Sequence, residues 1–99
     1  MNKRTKTRHY DVAEQLDSPE EIAAYVEAAL EDGDPRVIAH ALGTVARARG
    51  MSDIARQTGL GRESLYKALS PDGNPTLATV LKVVRALGIR LNAEPASGR

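Results

Sequence analysis

The stretch MSDIARQTGLGRESLYKAL, residues 51–69, decides the fold of this chain. Gly59 lies in its middle and predicts a break between two short helices, because glycine readily supplies the left-handed residue at a helix end. Ser52 is the expected N-cap of the first helix. The second helix begins near Arg62, and Ala55 is the small residue expected where the two helices cross. A short helix, a glycine turn and another short helix indicate a helix-turn-helix.

The outward face of the second helix carries polar side chains. Such side chains can donate to and accept from base edges and phosphates in a major groove, so we interpret this helix as the DNA-reading element. The alternative is two ordinary short helices of an all-α bundle. The expected DNA-binding residues are Ser52, Arg62, Glu63, Ser64, Tyr66 and Lys67. The expected helices of the motif cover residues 52–58 and 62–69.

Two more helices are predicted before the motif, each by the same start signal. Ser18 precedes Pro19, and Glu21 completes a capping box. Asp34 precedes Pro35 in the same way. Apolar residues repeat at helical spacing after both starts. The predicted helices cover residues 19–32 and 35–49. The apolar sets are Ile22, Tyr25, Val26, Ala29 and Leu30 in the first, and Ile38, Ala41, Leu42 and Val45 in the second.

One further helix is predicted after the motif. The segment SPDGNP, residues 70–75, is a loop by composition, and Thr76 caps a helix expected over residues 77–87. Residues 89–93 alternate apolar and polar side chains. They form either a short strand that pairs with a second copy of the chain or a frayed tail. The expected buried stripe of the last helix is Leu77, Val80, Leu81, Val84 and Leu87.

Length and composition fit one small all-α domain. The chain has 99 residues, of which 41% are hydrophobic, and it lacks Phe, Trp and Cys. The core must therefore be aliphatic, and there is no disulfide framework or thiolate site. No apolar run reaches transmembrane length and no hydrophobic signal core is present, which predicts a cytoplasmic protein without a membrane partner. We expect a flexible arm over residues 1–17, the domain over 18–93 and a disordered tail over 94–99.

The formal net charge of +1 hides a strong segregation along the chain. Residues 1–17 carry a net charge of +1, residues 18–34 carry −6, and residues 35–99 carry +6. The basic part contains the helix-turn-helix, as expected for a surface that contacts phosphates. The acidic part is therefore expected to serve a different partner.

The residue types argue against an enzyme. The chain has no Cys, His9 and His40 stand far apart in sequence, and no glycine-rich phosphate loop follows a strand. We expect no cofactor and no metal. Two classes of function remain, a DNA reader and a protein-interaction module without DNA binding. They differ in the dependence of DNA affinity on salt.

Residues 8–93 resemble the addiction-module antidote proteins, which are HigA-like antitoxins with a lambda-repressor-like (Xre-type) helix-turn-helix. The most specific segments are ARARGMSDIARQTGL, RESLYKALS and GNPTLATVLKVVRALG. The resemblance implies a lambda-repressor-like fold, a small RelE-like toxin that cleaves mRNA as partner, and binding to an operator upstream of the protein's own operon. A stand-alone phage-type repressor with no toxin is the alternative within this group.

The resemblance also places the recognition helix at residues 62–69, with Arg62, Glu63, Ser64 and Lys67 toward the groove. One departure concerns the first helix of the motif. Many lambda-repressor-like domains begin it with a Gln that contacts phosphate, whereas this chain has Met51 and Ser52 there. Ser52 or a backbone N–H would have to make that contact.

The resemblance does not say which surface binds the toxin, so the charge pattern carries that hypothesis. A toxin that cleaves RNA must present a basic surface, and an acidic helix over residues 18–34 could lie against it. The alternative is a solvated face that keeps a small protein soluble, and the next candidate surface is residues 3–16. The expected toxin-binding residues are Glu20, Tyr25, Glu27, Glu31 and Asp32.

A homodimer is expected because one recognition helix reads too few base pairs for an operator. The predicted contact is the last helix together with Ile89 and Leu91.

Overall fold

The computed structural model describes residues 16–96, which form five helices and contain no strand. Each predicted helix is present, with ends that differ by at most one residue from the expected ones, so the all-α prediction is confirmed. The helices are α1 (Pro19–Asp32), α2 (Pro35–Arg49), α3 (Met51–Thr58), α4 (Arg62–Ala68) and α5 (Leu77–Ala86).

Three helices begin at the caps that the sequence predicts. The Glu21 backbone N–H donates to Ser18 Oγ at 3.2 Å, and the Arg36 N–H donates to Asp34 Oδ1 at 2.9 Å. The Thr79 N–H donates to Thr76 Oγ1 at 3.1 Å. These bonds satisfy backbone donors that a helix leaves unpaired in its first turn, and so they fix where each helix starts.

The predicted cap of α3 is wrong. Gly50 is the N-cap, and Ser52 lies inside the first turn with an exposed side chain. The N–H groups of Asp53 and Ile54 both donate to the Gly50 carbonyl oxygen at 3.1 Å. Met51 is buried in the core, which draws the helix start one residue earlier than the sequence pattern suggests.

The core lies where α2 and α3 meet α1, α4 and α5. It is entirely aliphatic apart from methionine, as the composition requires. Leu16, which falls in the predicted arm, is buried in it. The buried cluster consists of Leu16, Ile22, Val26, Leu42, Val45, Ala46, Met51, Ile54, Ala55, Leu65, Leu69, Val83, Val84 and Leu87.

Three leucines that the apolar spacing places in the core are exposed instead. Leu77 is 70% exposed, Leu81 45% and Leu30 41%. In α5 the face toward α2 and α3 carries a different set of apolar residues at helical spacing. This set contains Val83 in place of Leu77 and Leu81. This buried or partly buried set is Val80, Val83, Val84 and Leu87.

Residues 89–93, expected to be either a short strand or a frayed tail, form no strand in the described chain. Residues 89–96 are neither helix nor strand, and they follow the surface of α1. The Ile89 N–H donates to the Val84 carbonyl oxygen at 3.3 Å, and the Ile89 side chain packs against the core. Residues 1–15, most of the predicted arm, and residues 97–99 lie outside the described part. Within residues 16–96, no helix is both long and apolar enough to cross a membrane.

Candidate nucleic-acid interface

The turn between α3 and α4 is held by short-range hydrogen bonds. Gly59 has a φ of 75°, a left-handed conformation that glycine adopts at little cost, and its N–H donates to the Ala55 carbonyl oxygen at 2.9 Å. Thr58 Oγ1 donates to the Ile54 carbonyl oxygen at 2.9 Å and accepts the Leu60 N–H at 3.3 Å. The Leu60 side chain then packs against the core. The chain therefore leaves α3 in one fixed direction.

The inner face of α4 is anchored at two points. Leu65 and Leu69 are buried in the core. At the end of the helix, Gly43 of α2 lies so close to the Leu69 carbonyl oxygen that an added Cβ would be 2.4 Å from it. An isolated seven-residue helix is unstable in water, so these contacts create and orient α4.

The outer face of α4 carries the five DNA-binding residues that the sequence predicts on this helix. Arg62, Glu63, Ser64, Tyr66 and Lys67 are exposed. Among residues 16–96 the ion pairs are Arg36–Asp34 and Arg56–Asp53, and neither involves a cation of α4. The positive charges of Arg62 and Lys67 are therefore available to a partner outside the described fold.

Arg62 is held by an aromatic ring. Its guanidinium carbon lies 5.4 Å from the centroid of the Tyr66 ring, a cation–π distance. Both residues were predicted to bind DNA, but their contact with each other was not predicted. Their spacing of four positions on one helix was the available signal, because such side chains are neighbours on the helix surface.

The exposed side of α3 carries its own small network. Arg56 pairs with Asp53, and Gln57 Nε2 donates to the second oxygen of the same carboxylate at 2.9 Å. This pairing keeps Arg56 folded along α3. Ser52 lies beside this network in the first turn, where its hydroxyl is exposed.

The predicted toxin-binding residues lie on α1 in two environments. Tyr25 is half-buried and packs against the core, whereas the acidic side chains are exposed. Asp32 also accepts the Asp34 N–H at 3.4 Å. The exposed acidic residues are Glu20, Glu27, Glu31 and Asp32.

The structure brings three of the predicted toxin-binding residues beside the predicted dimer residues, whereas Tyr25 and Asp32 line neither of the two grooves beside residues 89–95. A groove of about 610 Å³ runs between α1 and residues 89–95. Glu27, Glu31, Ile89 and Leu91 line it, and Glu20 lines a second groove on the other side of the same segment. These residues were expected on two separate surfaces, because the path of residues 89–95 has no local signal.

The described residues contain no group of three or more His, Asp or Glu side chains that could hold a metal. His40 is exposed on α2, and His9 lies outside the described part.

Comparison with known proteins identifies the family. Residues 6–95 match the model of a family described as probable addiction module antidote protein. An uncharacterized protein of Haemophilus influenzae (strain ATCC 51907 / DSM 11121 / KW20 / Rd) is 51% identical over 87 residues, which cover 88% of this chain and 90% of the relative. No solved structure matches the chain significantly. A match over nearly the whole chain shows that the protein belongs to the probable addiction module antidote family.

Proposed function

We propose that this member of an antitoxin family binds and neutralises a small RelE-like toxin that cleaves mRNA, and that it represses its own operon by sequence-specific binding to double-stranded DNA. One observation carries the DNA-binding part. The short helix α4 is fixed from the inside by buried Leu65 and Leu69, while its outer face presents Arg62 and Lys67 without a carboxylate partner among residues 16–96.

In this proposal α4 is the recognition helix. A helix with its side chains fits the major groove, which is about 12 Å wide. Arg62 lies in the first turn, the part of a recognition helix that contacts base edges, and its guanidinium can bond a guanine in a bidentate manner. Glu63 and Ser64 follow it and can accept from or donate to neighbouring bases. Lys67 lies in the last turn and meets phosphate, and the exposed Ser52 hydroxyl of α3 can donate to a second phosphate.

The toxin is proposed to bind the acidic side of α1. Glu20, Glu27, Glu31 and Asp32 are exposed there, and none forms an ion pair with a cation of residues 16–96. A surface that binds RNA must be basic, so these carboxylates can occupy it in competition with RNA and accelerate the encounter by long-range attraction. Tyr25 is half-buried and adds apolar contact area at the edge of this surface.

A homodimer completes the proposed operator complex. Two copies related by a two-fold axis would place their recognition helices at half-sites about 34–36 Å apart, or a multiple of that distance. The proposed contact is the last helix with Ile89 and Leu91. The exposed edge of α5, which carries Leu77 and Leu81, supports a role for that helix, because an exposed apolar patch on a small domain is typical of an interface.

The proposal is tested by measuring the affinity of the full chain for its own promoter DNA and for random duplex DNA at several salt concentrations. We expect a preference for the promoter and a steep fall in affinity with salt, with a slope of about −0.9 per neutralised phosphate. Affinity that is absent at low salt would refute DNA binding.

A protein-interaction module without DNA binding is the second candidate, and the exposed acidic side of α1 favours it. The same titration separates the two functions. Co-expression with the product of any small basic reading frame beside the gene distinguishes an antitoxin from a stand-alone repressor. A complex of the two proteins supports the antitoxin, and protection of mRNA by this chain identifies the toxin's activity.

A further inference from the structure

Arg62 and Tyr66 form one unit on the exposed face of α4. The guanidinium carbon lies 5.4 Å from the ring centroid, within the limit of about 6 Å for a cation–π contact. Glu63 is the next residue along the chain, yet no carboxylate of residues 16–96 pairs with Arg62. Among residues 16–96, the Arg62 guanidinium therefore contacts the Tyr66 ring and pairs with no carboxylate.

This arrangement leaves the hydrogen-bonding edge of the guanidinium available. The guanidinium carries five N–H donors in its plane, and among residues 16–96 no hydrogen bond or ion pair occupies them. Arg62 can therefore keep its contact with Tyr66 while it donates two bonds to O6 and N7 of a guanine. A long side chain that is already ordered also loses less conformational entropy on binding.

Tyr66 is also exposed enough to contact DNA itself. The residue is 40% exposed, on the same face as Arg62. The thymine C5 methyl is the feature of the major groove that an apolar surface contacts favourably. One helix turn rises about 5.4 Å and base pairs are spaced about 3.4 Å apart, so a side chain one turn after Arg62 reaches a base about one or two pairs away.

We propose that Arg62 and Tyr66 read two bases as one unit, in which the Tyr66 ring holds the Arg62 guanidinium for a guanine and itself covers the methyl group of a thymine about one or two base pairs away. This proposal rests on the proposed DNA binding through α4. Tyr66 is thus both a positioning residue for Arg62 and a determinant of specificity. A merely structural role, in which the pair only stabilises a short helix, gives no sensitivity to the thymine methyl.

The experiment begins with selection of duplex DNA from a random pool by the full wild-type chain. We expect the selected site to contain a guanine with a thymine within about two base pairs in each half-site. Each such thymine is then replaced by uracil, which removes only the C5 methyl. We expect the affinity of the wild-type protein to fall about four-fold for each thymine replaced, as for one buried methyl group.

Two variants of Tyr66 test whether its ring causes the loss of affinity on replacing thymine by uracil. Tyr66→Phe keeps the ring and is expected to keep the sensitivity to uracil. Tyr66→Ala is expected to bind thymine and uracil sites equally and to lose about two- to five-fold of its discrimination for the guanine. Lys67→Ala is the matched control on the same helix. It should bind all sites more weakly and still distinguish thymine from uracil.

The outcomes separate this inference from the proposed function. If the wild-type chain selects no sequence, DNA reading and the paired readout both fail. If it selects a site but tolerates uracil at every thymine near the guanine, or if Tyr66→Ala keeps the methyl sensitivity while its helical circular-dichroism signal matches wild type, DNA reading stands and the paired readout is overturned.

Discussion

Gly43 of α2 lies directly against the carbonyl oxygen of Leu69 at the end of α4. A Cβ at position 43 would be 2.4 Å from that oxygen, a distance that real Cβ atoms essentially never show. The neighbouring atom belongs to the backbone and cannot rotate away. The distance between α2 and the candidate recognition helix is therefore set by the absence of a side chain at one position.

Gly43→Ala should destabilise the fold. Either α4 moves outward or the helix backbone distorts, and we expect a loss of about 1–3 kcal/mol in the free energy of unfolding, as for other overpacked sites. Denaturant unfolding followed by circular dichroism measures it. Gly61→Ala is the matched control, because its Cβ would meet only Ser64 Oγ at 3.7 Å, an ordinary contact. Equal stability of the two variants would show that α2 and α4 can separate without cost.

Arg62→Ala and Lys67→Ala should weaken DNA binding in different ways. If Arg62 bonds a guanine, its loss costs about 1–3 kcal/mol on the operator and relaxes the preference at one base pair. Loss of Lys67 should weaken operator and random DNA alike and reduce the salt slope by about 1. Affinities measured on both DNAs at two salt concentrations decide this. An equal loss on both DNAs for Arg62→Ala would make Arg62 a phosphate contact.

Leu91→Asp tests the predicted dimer contact. Deletion of residues 88–99 would also remove Ile89 from the core, whereas Leu91 is 37% exposed and can be changed alone. We expect a folded monomer that binds the operator more weakly, as measured by sedimentation and by affinity. Leu77→Asp on α5 is the companion variant. A wild-type dimer that survives Leu91→Asp but not Leu77→Asp would move the contact to the exposed edge of α5.

Reversal of charge on α1 should slow capture of the toxin. The double variant Glu27→Lys with Glu31→Lys replaces attraction by repulsion, so the association rate with toxin should fall at low salt and approach wild type at high salt. Operator binding by the antitoxin alone is measured in parallel, because Glu27 and Glu31 line the same groove as Leu91 of the predicted dimer contact. Stopped-flow association at two ionic strengths measures the effect.

The control for this experiment is a matched pair of single variants. Glu27→Lys and Asp72→Lys each change the net charge by two, and Asp72 is exposed in the loop before α5. Only Glu27→Lys should slow association. An association rate of the double variant that equals wild type at both ionic strengths would exclude α1 as the toxin-binding surface. Residues 3–16 would then be the next candidate surface.

The sequence by itself determined the helices and their ends, because the signals that set them act over a few residues. The caps at Ser18, Asp34 and Thr76 and the left-handed Gly59 are hydrogen bonds and dihedral preferences that need no distant partner. The exposed set on α4 followed from the same helical spacing. The start of α3 was missed by one residue because burial of Met51 depends on its tertiary neighbours.

Tertiary structure alone decided which face of α5 points inward and where the C-terminal segment lies. In α5 two sets of apolar residues fit helical spacing, and packing against α2 and α3 buries Val83 while it leaves Leu77 and Leu81 exposed. Residues 89–95 run beside α1 because the Ile89 side chain packs against the core, while residues 90–95 are exposed and a strand finds no partner in the described chain. Local preferences specify a helix, but only the long-range burial of apolar area chooses which of its faces points inward.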